Sequence, residues 1–287
     1  MPDNKRNIIN MTKLNTLLLF ILSFGVVHAP ALADDVPLPT QLGLSDPATP
    51  QMERIISFHD DILMWIITAI VIFVTALLIF VIMRYNAKSN PSPSKTTHNV
   101  PLEIIWTLVP ILILAGIAFP SFKMLYYLDR VDEPEMTLKV TGYQWYWGYE
   151  YPDHDGINFL SYMIPEDEVD VEAGQRRLLS TDNVVYLPTD TNIKILITAA
   201  DVLHAFAIPA FGIKKDAVPG RMNETWVRID KPGTYYGQCS EICGVNHAYM
   251  PIEIKAVPKE EFDQWVIQAK EKYAGLRYDT DLKLVQK

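Results

Sequence analysis

Cysteine is nearly absent from this chain: 287 residues contain two. So few thiols exclude a disulfide-stapled scaffold, and a packed core has to supply the stability. Histidine is scarce too, with six in all, which leaves few imidazoles for any large multi-metal catalytic centre. No internal repeat and no long low-complexity tract is present. Charge is missing altogether from Ile62 to Met83, a run of 22 residues, and acid is missing from the connection RYNAKSNPSPSKTTHNV that starts at Arg84. The chain is 49% hydrophobic, yet its 20 prolines and 34 acidic residues argue against a polytopic bundle embedded in lipid. The apolar residues are clustered instead.

The first cluster, LNTLLLFILSFGVVHAPALA, follows Lys5, Arg6 and Lys13 and closes on Ala31-Leu32-Ala33. A basic start, a short apolar stretch and a small-x-small end describe an export signal over residues 1–33, with a mature chain beginning near Asp34. A short additional membrane helix is the alternative, disfavoured by Pro30. An exported segment, 34–61, follows. The uncharged run then spans about 33 Å as a helix, enough for a bilayer core. A second span follows Pro101 and Glu103 in IIWTLVPILILAGIAFPSF. Pro110 and Pro120 should kink it, and the freed carbonyls ask for a membrane partner. Residues 62–128 are thus expected to form a helical hairpin, with helices at about 62–83 and 104–127. The connecting loop carries Arg84, Lys88 and Lys95, so it faces the cytoplasm and both mature termini face outward.

From Asp129 to Lys287 there are 26 acidic and 17 basic residues, a balance of −9 that equals the net charge of the whole chain. An acidic exported face argues against nucleic acid and for a basic soluble partner. Period-two patterning in Ile193-Lys194-Ile195-Leu196-Ile197 and Thr225-Trp226-Val227-Arg228-Ile229, with Pro219-Gly220 and Pro232-Gly233 turns, marks strands. The expected fold class is membrane-anchored all-β: a two-helix hairpin followed by a Greek-key β-sandwich or barrel over 129–258. A helix and tail, 259–287, carries Phe262, Trp265, Val266 and Ala269 on one face.

Both cysteines fall in CSEICGVNHAYM, residues 239–250, together with Glu241, His247 and Met250. Thiolate, thioether and imidazole suit copper, and Cys239 and Cys243, four apart in one loop, can face each other and bridge two ions. A disulfide closing a tiny ring, or zinc, remains open as an alternative; the disulfide leaves His247 and Met250 unexplained, and zinc has little use for methionine. His204, after the strand Ile193–Thr198, is the second imidazole by elimination, although a lone histidine there also suits a structural hydrogen bond.

These residues carry a resemblance. The loop, together with DVLHAF, GYQWYWGYEY, DAVPGR and EIIWTLVP, resembles subunit II of the haem–copper cytochrome c oxidases over nearly the whole mature chain. The resemblance implies a cupredoxin fold with a binuclear copper A centre that accepts electrons from cytochrome c. They pass to haem in subunit I, where oxygen is reduced to water coupled to proton pumping. It implies Cys239 and Cys243 as bridging thiolates, His204 and His247 as terminal ligands, Met250 as a weak sulfur ligand and the Glu241 carbonyl as a further one. The Glu241 carboxylate would bind magnesium or manganese shared with subunit I. Trp145 would receive the electron, Glu150 and Asp201 would dock cytochrome c, and Glu103 would sit at the mouth of the K pathway for protons. Glu103 has an ordinary reading as well, as a helix-dipole acid after Pro101. Subunit III is an expected further partner.

Two positions depart from the family pattern. Leu160 stands where relatives can show an acid, with Asp153 and Asp155 as candidate compensators, and Phe206 replaces the usual tryptophan. A nitrous oxide reductase would need a far longer chain, and a quinol oxidase subunit lacks the copper ligands. An exported, membrane-anchored copper chaperone or assembly factor is the remaining alternative. The export signal favours a bacterial plasma membrane over a mitochondrial inner membrane.

Overall fold

The computed structural model describes residues 36, 40–129 and 133–273. The expected export signal and the last part of the C-terminal tail lie outside the described residues.

Sequence patterning assigns no element to 34–61, but a helix begins there. Helix α1 (Pro50–Phe58) starts at Thr49, whose side chain accepts from Met52 N at 3.1 Å, with proline in the first turn where its missing N–H costs nothing. A π-helical turn (His59–Leu63) joins it to α2 (Met64–Arg84). Helix α3 (Val100–Asp129) contains Pro110 and Pro120. Pro50–Arg84 and Val100–Asp129 are both long and apolar enough to cross a membrane. Thr49 also donates to Phe211 O at 3.0 Å. Thr49→Ala removes the cap and this tie, and a loss of about 1 kcal/mol is expected in thermal unfolding; an unchanged midpoint would contradict the capping role.

The remainder is a sandwich of two five-stranded sheets. One has the order β3 (Ile157–Ser161), β2 (Tyr146–Tyr151), β1 (Met136–Tyr143), β5 (Ile193–Ala199), β8 (Asn223–Val227). The other has the order β4 (Val185–Pro188), β10 (Pro251–Val257), β9 (Gly233–Cys239), β6 (His204–Ile208), β7 (Ile213–Ala217). The pairs β1·β5 and β4·β10 are parallel and the others antiparallel. Strict alternation of burial along β1 and β5 sends Leu138, Val140, Ile195 and Ile197 into the interior. The facing sheet contributes Phe206, Ile208, Ile252 and Ile254. Helix α4 (Lys259–Tyr273) lays Phe262, Val266 and Ala269 on this core.

The C-terminal end of α3 is tied to the sandwich and to α1. Trp226 Nε1 donates to Tyr127 O at 2.9 Å, Lys215 pairs with Asp129 at 2.6 Å, and Arg54 lies 3.6 Å from the Tyr127 ring centroid. The indole–carbonyl bond and this part-exposed ion pair fix the β-domain on the end of α3.

Candidate metal centre

Strand pairing assembles the site. Strand β6 pairs with β9 in the register Phe206↔Cys239, so His204, at the start of β6, and Cys239, at the end of β9, meet at one end of the sandwich. The approach of these strands is close: a Cβ on Gly237 would collide with Ala207 O. Gly142 on β1 supplies the room for the imidazole, because a Cβ there would meet His204 Cδ2 at 2.9 Å. His204 is fully buried.

Four donors line up as two cysteine–histidine pairs. Cys239 Sγ is 3.8 Å from His204 Nδ1, Cys243 Sγ is 3.6 Å from His247 Nδ1, and the two sulfurs are 3.9 Å apart. Both cysteines are free thiols, so the structure holds no disulfide between them. The ligand atoms of His204, Cys239 and Cys243 lie within 4.8 Å of one another. Glu241 O is 3.4 Å from Cys239 Sγ, while the Glu241 side chain belongs to an exposed residue. Met250 is buried, and its carbonyl accepts from Cys239 N at 3.1 Å and Trp147 Nε1 at 3.4 Å, which ties the two ends of the loop together.

The electrostatics suit a cation. Burial alone would raise the Cys239 thiol, but hydrogen bonds from His204 and from the backbone overcome it and bring the group down to about 6. Burial and the Cys239 charge push Cys243 up to about 12. Near neutral pH the pair therefore carries one negative charge, and a bound cation would let the second sulfur ionise as well. His204 is held above the ordinary histidine range: burial opposes this, and Cys239 and Asp201 outweigh it.

Asp201 is exposed at the surface, yet both of its oxygens are engaged at the edge of the site. Its Oδ1 lies 2.9 Å from His204 Nε2 and accepts from Val202 N at 2.6 Å, and its Oδ2 accepts from Gln144 N at 2.7 Å. Its carboxyl is accordingly held below the usual range, against burial, by His204 and the two backbone donors. A carboxylate on Nε2 places the proton there and leaves Nδ1 free to ligate. Sequence reasoning missed this role; the i, i+3 spacing of Asp201 and His204 was its only signal.

Trp145 sits in the turn between β1 and β2, not in a strand. It is half-buried, and its indole Nε1 donates to Cys243 O at 3.2 Å. Glu150 pairs with Lys139 at 2.8 Å. Asp153 accepts from Thr137 N at 2.6 Å, and Asp155 pairs with Lys270 at 2.6 Å. Phe206 packs edge-on against Trp147, at 5.3 Å between ring centroids. Glu103 lies on α3, away from this constellation, where its Oε1 accepts from Asn99 N at 3.1 Å.

The comparisons with known proteins agree along the chain. The family model "Cytochrome C oxidase subunit II, periplasmic domain" matches residues 136–257, and "Cytochrome C oxidase subunit II, transmembrane domain" matches 37–124. The probable cytochrome c oxidase subunit 2 of Rickettsia bellii is 53% identical over 230 residues, 80% of this chain and 84% of that relative. Cytochrome c oxidase subunit 2 of Phytophthora megasperma is 51% identical over 237 residues, 81% of this chain and 88% of its own. Among solved structures, the periplasmic domain of subunit II of cytochrome oxidase from Bradyrhizobium japonicum is 49% identical, covering 50% of this chain and all of that one, with a TM-score of 0.47. With a membrane hairpin, a cupredoxin-like sandwich and both family models matched, the chain belongs to the cytochrome c oxidase subunit II family.

Proposed function

We propose that this chain takes up electrons from reduced cytochrome c on its exported face and delivers them, through a binuclear copper A centre, to haem in subunit I. The observation that carries this reading is the arrangement of the donors: two facing sulfurs 3.9 Å apart, each with its own imidazole. When bound, the copper pair supplies a one-electron redox couple shared over two ions, with little change of geometry on transfer.

The residues divide the work. The thiolates of Cys239 and Cys243 and the imidazoles of His204 and His247 would hold the copper pair, with the Met250 sulfur and the Glu241 carbonyl completing the donor set. Asp201 orients His204. Trp145 receives the electron and is already hydrogen-bonded to the backbone of a copper ligand. The exposed Glu241 side chain is left over to hold magnesium or manganese at the border with subunit I. Glu150 and Asp201 contribute to docking on the acidic face, although both are already engaged in internal bonds. Glu103 takes up protons for the K pathway, and its position in the first turn of α3 supports this as well as a capping role. Subunits I and III cover the apolar faces of α2 and α3. The setting is a bacterial plasma membrane, with residues 1–33 removed and both mature termini in the periplasm.

Titration of the full-length chain in detergent with copper tests this. Two ions per chain are expected, with a spin signal from one electron spread over both. One ion per chain, or rapid surrender of copper to a weak competitor, would instead favour the copper chaperone.

A further inference from the structure

Trp145 does not reach the copper loop alone. Its neighbour Gln144, an exposed residue by overall accessibility, directs its side-chain Nε2 at Cys243 O, at 2.8 Å. This is the same oxygen that accepts from the Trp145 indole at 3.2 Å. A carbonyl has two lone pairs, and both are taken by donors from one two-residue turn. The acceptor also settles the orientation of the amide, since only its NH₂ can face a carbonyl. The backbone N–H of Gln144 donates to Asp201 Oδ2 at 2.7 Å, and Asp201 Oδ1 in turn meets His204 Nε2 at 2.9 Å. Gln144 is thereby joined to residues at both ends of the donor set, Cys243 and His204. The loop leaves room for this: Gly244 has φ +125°, and a Cβ there would come within 2.9 Å of Trp145 Cζ2 and 3.2 Å of Gln144 Nε2.

We propose that Gln144 is a positioning residue for electron uptake: by sharing the Cys243 carbonyl with the indole and anchoring its own backbone on Asp201, it holds Trp145 in the one orientation that couples it to the copper loop. This rests on the reading of Trp145 as the electron acceptor. The step moves one electron from the reduced haem iron of a c-type cytochrome to the oxidised metal centre. No bond is made or broken and no proton moves, so orientation along the path controls the rate.

The test uses the assembled oxidase with Gln144→Met, which keeps length and removes the donor, Trp145→Phe, and the double variant. Gln144→Met is expected to slow metal-centre reduction at saturating cytochrome c by roughly 10-fold or more, the scale on which small misplacements act. KM and the copper absorption spectrum should stay unchanged. Residues acting through one contact are not additive, so the double variant should be no slower than Trp145→Phe alone. Multiplying losses would overturn the proposal, as would a change confined to KM. Loss of the copper pair in Gln144→Met would overturn it too, because it would assign the residue to building the loop. Trp145→Phe at full speed would sink the underlying reading of Trp145. A slow Trp145→Phe beside a fast Gln144→Met would sink only the role of Gln144.

Discussion

Replacing Cys239 by serine is expected to abolish the two-copper site. Cys239 Sγ is the most connected of the donors, lying 3.8 Å from His204 Nδ1, 3.9 Å from Cys243 Sγ and 3.4 Å from Glu241 O. Serine offers a hard oxygen that stays protonated and has little affinity for copper. Copper content should fall from two ions to one or none, and the shared-electron spin signal should vanish. The metal-free fold should survive, since serine is smaller and retains hydrogen-bonding partners at this buried position. Copper therefore raises the melting temperature of the parent chain by mass action and leaves that of the variant unmoved. Retention of two ions in Cys239→Ser would refute the bridging assignment. The same chemistry predicts a pH dependence. The Cys243 thiol, raised to about 12 by burial and by the charge on Cys239, has to lose its proton on ligation. Copper affinity should consequently rise with pH across the neutral range, with proton release measurable in weakly buffered solution.

Asp201→Ala has the second largest expected effect. It deletes the acceptor for His204 Nε2, Gln144 N and Val202 N together. Carboxylates behind ligating histidines typically contribute a factor of about 10–100 in metal affinity, and a loss of that size is expected in a competitive copper titration. If Asp201 acted only in docking, copper affinity would stay constant and only the KM for cytochrome c would rise. The two readouts separate the roles cleanly, because a surface charge acts mainly through association and its salt dependence.

Much of this architecture is local chemistry and is legible in order along the chain. The uncharged run from Ile62 to Met83 and the proline-bearing second span are membrane-length helices by composition. The alternation of Ile193, Ile195 and Ile197 is a strand by period. CSEICGVNHAYM concentrates its donors within one loop, and nothing distant is needed to see it. Helix α1 is not legible in the sequence, because its buried residues, Gln51 and Met52, form no apolar stripe and instead meet strand β8 at Trp226 O and the backbone at Gly212.

The class of protein, the two membrane-length spans, the β-domain and the presence of soft ligands follow from residue type and short spacing alone. Which groups meet depends on strand register and turn placement across the fold. His204 and Cys239 are 35 positions apart and are joined by the β6–β9 register. Trp145 and Cys243, 98 apart, are joined because the β1–β2 turn reaches the loop 239–250. Asp201, a docking acid by family resemblance, also braces His204, because the fold brings His204 Nε2 and two backbone N–H groups to its carboxylate while its side chain stays 32% exposed.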